Sequence, residues 1–170
     1  MGSIKSIVLA IVCFLMSLTM TYGSSNIIEH HANWICTQNE DVDKKFAMDV
    51  TKFVFQNCDH PELVLSIINE ESKFNPKAYN KSGVYGLGQI KFRVWRHELQ
   101  QFNIRSPNHL YNYKNNILAM NYIVEKYYIE SRKNIQKTVC RYLGGAKKSN
   151  AKYRYKVHKN LANLTKSHKA

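Results

Sequence analysis

Apolar residues recur along the chain at the three- and four-residue spacing of one helical face. No stretch of useful length alternates apolar and polar residues, and no internal repeat or low-complexity tract is present. The pattern predicts one mainly α domain, because the chain is long enough for a single core. The predicted helices cover residues 41–56, 61–72, 91–102, 113–130, 133–143 and 151–164.

One predicted helix ends in two acidic residues. Val64, Ile67 and Ile68 form its apolar face at positions i, i+3 and i+4. Glu71, at i+7, continues that face, and Glu70 is turned about 100° away. A carboxylate at the end of an apolar face is desolvated, which raises its pKa and supplies the protonated form that a general acid needs. The alternative is a surface carboxylate at a frayed helix end, and the loop that follows favours the general acid.

That loop carries three glycines after Pro76, at Gly83, Gly86 and Gly88. Glycine lets a ligand or a helix end approach the backbone closely. The spacing lacks the Gly-x-x-x-x-Gly-Lys-Ser/Thr pattern of a phosphate loop, and no strand pattern precedes it. The glycine loop alone is therefore weak evidence for any particular ligand.

The first 23 residues have the pattern of a signal peptide. Lys5 precedes an apolar run over residues 7–18, and small residues follow from Gly23. The run is shorter than the roughly 20 residues that span a bilayer. We expect cleavage near Gly23 and export to the periplasm or cell envelope, with a retained N-terminal anchor as the alternative.

The exported part divides into three segments. Residues 24–40 form an N-terminal arm, irregular or briefly helical, residues 41–164 form the domain, and residues 165–170 form a basic tail. The formal charge of +13 becomes +12 once Lys5 is removed. Because most acidic residues lie before Ser72, the C-terminal half attracts polyanions. Nucleic acid, anionic lipid and the acidic bacterial wall all fit this charge.

Three cysteines remain after export, Cys36, Cys58 and Cys140. An oxidising compartment permits one disulfide and one free thiol. The helix over residues 41–56 is about 24 Å long, which disfavours a Cys36–Cys58 bridge, so we expect Cys140 to pair with either one. The histidines are scattered and neither Cys-x-x-Cys nor His-Glu-x-x-His occurs, so we assign no metal.

Four short motifs resemble the soluble lytic transglycosylase family. Residues 71–78, Glu-Ser-Lys-Phe-Asn-Pro-Lys-Ala, resemble its first motif, Glu-Ser-x-Phe-x-Pro-x-Ala. Residues 83–89, Gly-Val-Tyr-Gly-Leu-Gly-Gln, are similar to the second, Gly-Ala-x-Gly-Leu-Met-Gln. Residues 142–145, Tyr-Leu-Gly-Gly, look like Tyr-Asn-Ala-Gly, and residues 153–157 resemble Tyr-Val-x-x-Val. Asn116 also sits where the family has an Asn near the start of a core helix.

The resemblance implies a goose-type lysozyme fold, a mainly α member of the α+β lysozyme-like superfold, as a single compact helical domain with a substrate groove. The implied substrate is the glycan strand of peptidoglycan, and we expect a monomer without a cofactor. Glu71 is implied to be the catalytic acid and then the base. The residues expected to line the groove or to position Glu71 and the sugar are Ser72, Gly86, Leu87, Gln89, Tyr142 and Tyr153.

The chain departs from the family pattern at two positions. Gly88 replaces a Met that helps to shape the groove, and we expect this change to leave room there. Leu143 replaces an Asn expected near the saccharide, which removes a polar contact. Both changes affect the positioning of the substrate and leave the acid in place.

The distribution of acidic residues predicts a mechanism with one carboxylate. Most glycosidases use two carboxylates, but no Asp follows Asp59, and the acids after Glu71 are Glu98, Glu125 and Glu130, none of them in a matching motif. In the family, the Glu protonates the glycosidic oxygen and the 6-hydroxyl of the muramic acid attacks C1, which gives a 1,6-anhydro product. Hydrolysis by the same Glu, as in goose-type lysozymes, is the nearest alternative.

Two other classes of protein fit parts of the pattern. A non-catalytic wall-binding module would explain Gly88 and Leu143. A nucleic-acid binder would explain the charge and the many tyrosines, but export and half-buried tyrosines argue against it, so we expect no nucleic-acid partner. Wall turnover, a secretion or conjugation machine and phage entry or assembly all remain open as the cellular role.

Overall fold

The computed structural model describes residues 26–144 and 151–166, so the predicted signal peptide and most of the basic tail lie outside the described residues. The described chain is mainly helical, as predicted. Its α-helices are α1 (residues 26–38), α2 (Lys44–Asn57), α3 (Pro61–Ser72), α4 (Phe92–Trp95), α5 (Tyr113–Glu130), α6 (Ile135–Tyr142) and α7 (Ala151–Lys166). None of the described helices is both long and apolar enough to cross a membrane.

Helix α3 lies at the centre of the fold. Every residue from Leu63 to Asn69 is buried, and α2, α5 and α7 pack around it. The helix ends where Lys73 and Phe74 both adopt left-handed backbone conformations, with φ values of 52° and 62°. This turn directs the Phe74 ring into the core, where its centroid lies 6.0 Å from that of Trp34 in an edge-on arrangement. The end of α3 is therefore fixed by packing.

Residues 26–38 form a helix. The N-terminal arm was expected to be either irregular or briefly helical, and the structure has the helical form. Ala32 and Ile35 are fully buried and belong to the same hydrophobic core as α3. This segment therefore contributes to the domain core.

The chain between α3 and α5 differs most from the prediction. Tyr79–Asn80 (β1) pairs antiparallel with Val84–Tyr85 (β2), and strands of two residues are too short to leave an alternating pattern. The helix predicted over residues 91–102 is divided into α4 and a 3₁₀ helix, Glu98–Phe102. Each of the two short elements buries one large side chain, Trp95 in α4 and Leu99 in the 3₁₀ helix. A second 3₁₀ helix, Pro107–Tyr111, leads into α5.

The predicted disulfide is not formed. Cys36 on α1, Cys58 after α2 and Cys140 on α6 are all free thiols. The Cys36 thiol donates to the carbonyl oxygen of Val42, with 3.8 Å between sulfur and oxygen. Burial, together with the charge of Asp59, raises the pKa of Cys58 to about 12. Cys58 is therefore an inert structural thiol in this fold.

Candidate active site

A groove of about 470 Å³ opens beside the last turn of α3. Its walls come from α3, the β-hairpin and the loop after it, α4, α5 and α6. The residues that line it are Glu71, Asn80, Val84, Gln89, Ile90, Lys91, Trp95, Ile123, Tyr127, Tyr142, Leu143 and Gly144. Among these described lining residues, Glu71 is the only acid.

Glu71 is a half-buried residue whose carboxyl group receives one strong hydrogen bond. The Tyr153 hydroxyl on α7 donates to its Oε1 over 2.6 Å. Burial raises the pKa of Glu71 to about 7, although the Tyr153 hydrogen bond lowers it and the charge of Glu70 raises it further. Burial also raises the pKa of the Tyr153 hydroxyl, and the charge of Glu71 adds to this effect, so the phenol remains a donor. Glu71 thus keeps a proton up to neutral pH, which suits a general acid.

Asn116, fully buried near the start of α5, holds the glycine loop in place. Its Oδ1 accepts a hydrogen bond from the Gly88 amide over 2.8 Å. Its Nδ2 donates to the carbonyl oxygens of Tyr85 (3.0 Å) and Leu110 (2.8 Å). One side chain therefore binds three backbone groups of the loop and of the segment before α5.

Gly86 is required by this close approach. Its φ is +70°, and a Cβ at this position would lie 2.3 Å from both Asn116 Nδ2 and the Leu110 carbonyl oxygen. A side chain would displace the amide that organises the loop. Gly86 thus allows Asn116 to hold the loop from the side of α5.

Tyr142 connects α6 to the same loop. Its hydroxyl donates to the Gly88 carbonyl oxygen over 2.9 Å. Burial raises the pKa of Tyr142 well above its ordinary value, and the charge of Glu71 contributes to the rise. The loop is therefore held from α5 through the Gly88 amide and from α6 through the Gly88 carbonyl.

The space at Gly88 is filled, so the expectation that this glycine leaves room was wrong. A Cβ there would lie 2.4 Å from Met120 Cγ and Sδ and 2.8 Å from the Tyr142 hydroxyl. Met120 is fully buried on α5 and projects into the volume beside the loop. A methionine on α5 thus packs beside the position where the family motif carries its own methionine.

A protein-family model for the transglycosylase SLT domain matches residues 55–164. The chain belongs to this family. The matched segment runs from the C-terminal part of α2 into α7 and includes the whole groove. Searches of curated proteins and of solved structures gave no match. SLT domains are lysozyme-like, mainly helical domains that support lytic transglycosylase activity on peptidoglycan.

The residues predicted for the site occupy different positions in this SLT domain. Glu71, Gln89 and Tyr142 line the groove, and Tyr153 reaches it through its hydrogen bond to Glu71. Leu87 is fully buried in the core, and Gly86 is buried against Asn116. The Ser72 hydroxyl donates to the carbonyl oxygen of Ile68 over 3.4 Å and lies outside the groove lining.

Other lining residues of the SLT groove were missed in the sequence. Trp95 and Tyr127 form part of one wall, with 5.8 Å between their ring centroids in an edge-on arrangement. Lys91 supplies a positive charge beside them. Tyr127 follows Ile123 at helical spacing on α5. This repeat of large residues on one helical face was the signal from which their place in the groove could have been predicted.

No group of His, Cys, Asp and Glu side chains within residues 26–144 and 151–166 has the arrangement to hold a metal ion. The three acids that follow Glu71 in sequence have partners elsewhere. Glu98 pairs with Lys126 at 3.9 Å and Glu130 with Arg141 at 2.8 Å. His60 lies 3.5 Å from Glu125. The chemistry of the groove therefore depends on one carboxyl group.

Proposed function

We propose that this SLT domain is a peptidoglycan lytic transglycosylase that cleaves the β-1,4 bond between N-acetylmuramic acid and N-acetylglucosamine. One observation carries the proposal: Glu71 has a half-buried side chain whose pKa is raised to about 7, and it is the only acid among the described residues that line the groove. A hydrolase with two carboxylates needs a partner acid within about 10 Å across the sugar. The groove lining described here provides none.

The reaction follows from a single acid that serves twice. Protonated Glu71 transfers its proton to the glycosidic oxygen while the bond from that oxygen to C1 of the muramic acid breaks. The resulting carboxylate then takes the proton from the 6-hydroxyl of the same sugar as its oxygen bonds to C1. One C–O bond breaks and another forms, the proton returns to Glu71, and no water is consumed. The product carries a 1,6-anhydro ring.

Tyr153 and the glycine loop position the reacting groups. The Tyr153 hydrogen bond fixes one oxygen of Glu71, so that the other is directed to the substrate. Gln89 has a left-handed backbone, with φ of 48°, and its side-chain amide donates to the Gly86 carbonyl oxygen over 3.0 Å. Its backbone and side chain are thus both fixed at the edge of the groove. We assign Gln89 and Tyr142 to contacts with the sugar.

Hydrolysis by the same Glu71 is the second candidate, because an acid that can receive the 6-hydroxyl proton can also activate water. A non-catalytic wall-binding role is the third, and it is favoured by Leu143, an apolar residue in the groove lining where the family pattern has Asn. These candidates differ in their products.

Digestion of purified peptidoglycan sacculi by wild type, Glu71→Gln and Glu98→Gln tests the proposal. Glu98→Gln is the matched control, because Glu98 lies outside the groove lining and pairs with Lys126. We expect wild type and the control to release muropeptides with 1,6-anhydro ends in mass spectra, and Glu71→Gln to release almost none. Products that contain one additional water would indicate a muramidase. Binding to sacculi without release of fragments, or an unaffected Glu71→Gln variant, would overturn the proposal.

We also infer export by a signal peptide cleaved near Gly23 and action in the periplasm or cell envelope as a monomer. The support is the basic and then apolar pattern at the N-terminus, and an excess positive charge that suits the acidic wall. Cell fractionation, N-terminal sequencing of the mature protein and sedimentation analysis test these three points.

A further inference from the structure

Glu70, the residue before Glu71, is itself almost buried, with 8% of its side chain exposed. Lys73 Nζ lies 3.4 Å from its Oε1, and Lys156 Nζ lies 3.5 Å from its Oε2. The side-chain amide of Asn160 donates to Oε1 over 3.1 Å. We call these four residues the Glu70 cluster. Burial of a carboxylate is costly, and this cluster supplies the opposite charges and the hydrogen bond that compensate for it.

The cluster shares one face of α7 with the phenol that binds Glu71. Tyr153, Lys156 and Asn160 stand at positions i, i+3 and i+7, so they form one stripe directed at α3. Tyr153 donates to Glu71, and the other two residues bind Glu70. The two adjacent carboxyl groups of α3 are thus held by the same stripe.

We propose that Glu70 is a positioning residue for Glu71: it docks the Tyr153 stripe of α7 on α3, and it places beside Glu71 a negative charge that Lys73 and Lys156 partly balance. This inference rests on the proposed function, in which Glu71 is the acid.

The negative charge of Glu70 and the positive charges of Lys73 and Lys156 are expected to shift the pKa of Glu71 in opposite directions. A second negative charge beside a carboxyl favours its neutral form, and the charge of Glu70 is one of the causes that raise the pKa of Glu71. The positive charges of Lys73 and Lys156 act in the other direction. The other titratable groups that face Glu71 or share its groove are Tyr153 on α7, Tyr142 on α6, Tyr127 on α5 and Lys91 before α4.

The test is an NMR titration of the Glu71 carboxyl carbon in the folded full-length protein, labelled at glutamate. In Glu70→Gln, which keeps an acceptor for Asn160 but loses the charge, we expect the pKa of Glu71 to fall by roughly 0.5 to 1. In Lys156→Met, we expect it to rise by a smaller amount. Lys45→Met is the matched control, because Lys45 pairs with Asp49 on the exposed side of α2, and it leaves the pKa of Glu71 unchanged.

Opposite shifts in Glu70→Gln and Lys156→Met support the inference, since a merely structural role would not give shifts of opposite sign. Lys73→Met replaces Lys156→Met if the latter does not fold, and its expected shift is also upward. A pKa of Glu71 that does not move in either folded variant, or that moves in the same direction in both, overturns the inference.

The release of fragments from sacculi by wild type separates this inference from the proposed function. If wild type releases no fragments and the pKa still shifts as expected, the proposed function fails and the electrostatic coupling stands. If wild type is active and the pKa does not respond to Glu70, only the coupling fails.

Discussion

Glu70 faces α7, where Lys156 and Asn160 bind it, and it also pairs with Lys73 at the end of α3. Glu71 instead faces the groove and receives one phenol hydroxyl. Both carboxyl groups lie in the last turn of α3, and both are largely withdrawn from water. Within residues 26–144 and 151–166, Glu70 has two ion pairs and Glu71 has none. The two residues therefore share a helix turn and differ in the charge of their partners.

This difference shows which feature of a site controls protonation. Burial alone disfavours the charged form of any carboxyl group, and cations or hydrogen-bond donors restore it. At Glu71 the single Tyr153 hydrogen bond opposes burial without overcoming it, and the pKa rises to about 7. At Glu70, by contrast, the ion pair with Lys156 joins α3 to α7, and Lys73 adds a second cation at the end of α3. A side chain that is buried without a cation is thus the better candidate for a proton donor.

The largest expected effect is on the rate of fragment release when Glu71 and Glu70 are each replaced by Gln. Glu71→Gln should lower the rate of fragment release from sacculi by about 10² to 10⁴, the usual contribution of a general acid. Glu70→Gln should lower it by less than about tenfold, because the acid remains. Initial rates at pH 6, where Glu71 is protonated, give the measurement. Equal losses in both variants would show that the two carboxyl groups do not have separate roles.

A smaller effect is expected in the stability of the folded chain. A double-mutant cycle between Glu70→Gln and Lys156→Met should give a coupling free energy of about 1 kcal/mol from urea unfolding. The value is modest because 48% of the Lys156 side chain is exposed and solvent screens the pair. Lys45 and Asp49, an exposed pair on α2, provide the matched control cycle, which should give less. A coupling near zero at Glu70 would mean that the ion pair does not fix α7 on α3.

The smallest expected effect concerns the hydrogen bond to Glu71. Tyr153→Phe removes the donor that lowers the pKa of Glu71, so this pKa should rise. The rate of fragment release depends on protonated Glu71, and the high-pH decline of the rate should therefore move to higher pH. We expect the rate at pH 6 to fall by about two- to fourfold from the less precise orientation of the acid. A decline that moves to lower pH would contradict the role given to Tyr153.

The helical spacing predicted that Glu71 and Glu70 point in different directions, and Glu71 lines the groove whereas Glu70 packs against α7. The spacing did not predict that Glu70 is also withdrawn from water, with 8% of its side chain exposed. Val64, Ile67 and Ile68 are buried on α3 as the spacing predicts, and α5 covers Tyr113–Glu130 as predicted. Helical periodicity is a local property, so it can be read where a helix has one apolar face.

The partners of Glu70 could not be predicted in the same way. Lys156 and Asn160 lie on α7, 86 and 90 positions further along the chain, and only the packing of α7 on α3 brings them to Glu70. Met120 fills the space at Gly88, and this contact likewise joins two segments that are distant in the sequence. A periodic pattern shows that a residue faces inward, but it does not show which residue meets it.

The central claim is that Glu71 stays protonated in the folded chain at pH values at which it is ionised in the unfolded chain. Its pKa is raised from 4.5 to about 7, so the folded state binds the additional proton between these values, and stability falls as the pH rises through this range. The most direct measurement is the free energy of unfolding in urea from pH 4 to pH 8 for wild type and Glu71→Gln. As the pH rises over that range, the free energy of unfolding of wild type should fall by on the order of 3 kcal/mol relative to that of Glu71→Gln. The difference should change no further once the pH is well above the folded-state pKa. A difference between the two proteins that does not change with pH would contradict the account.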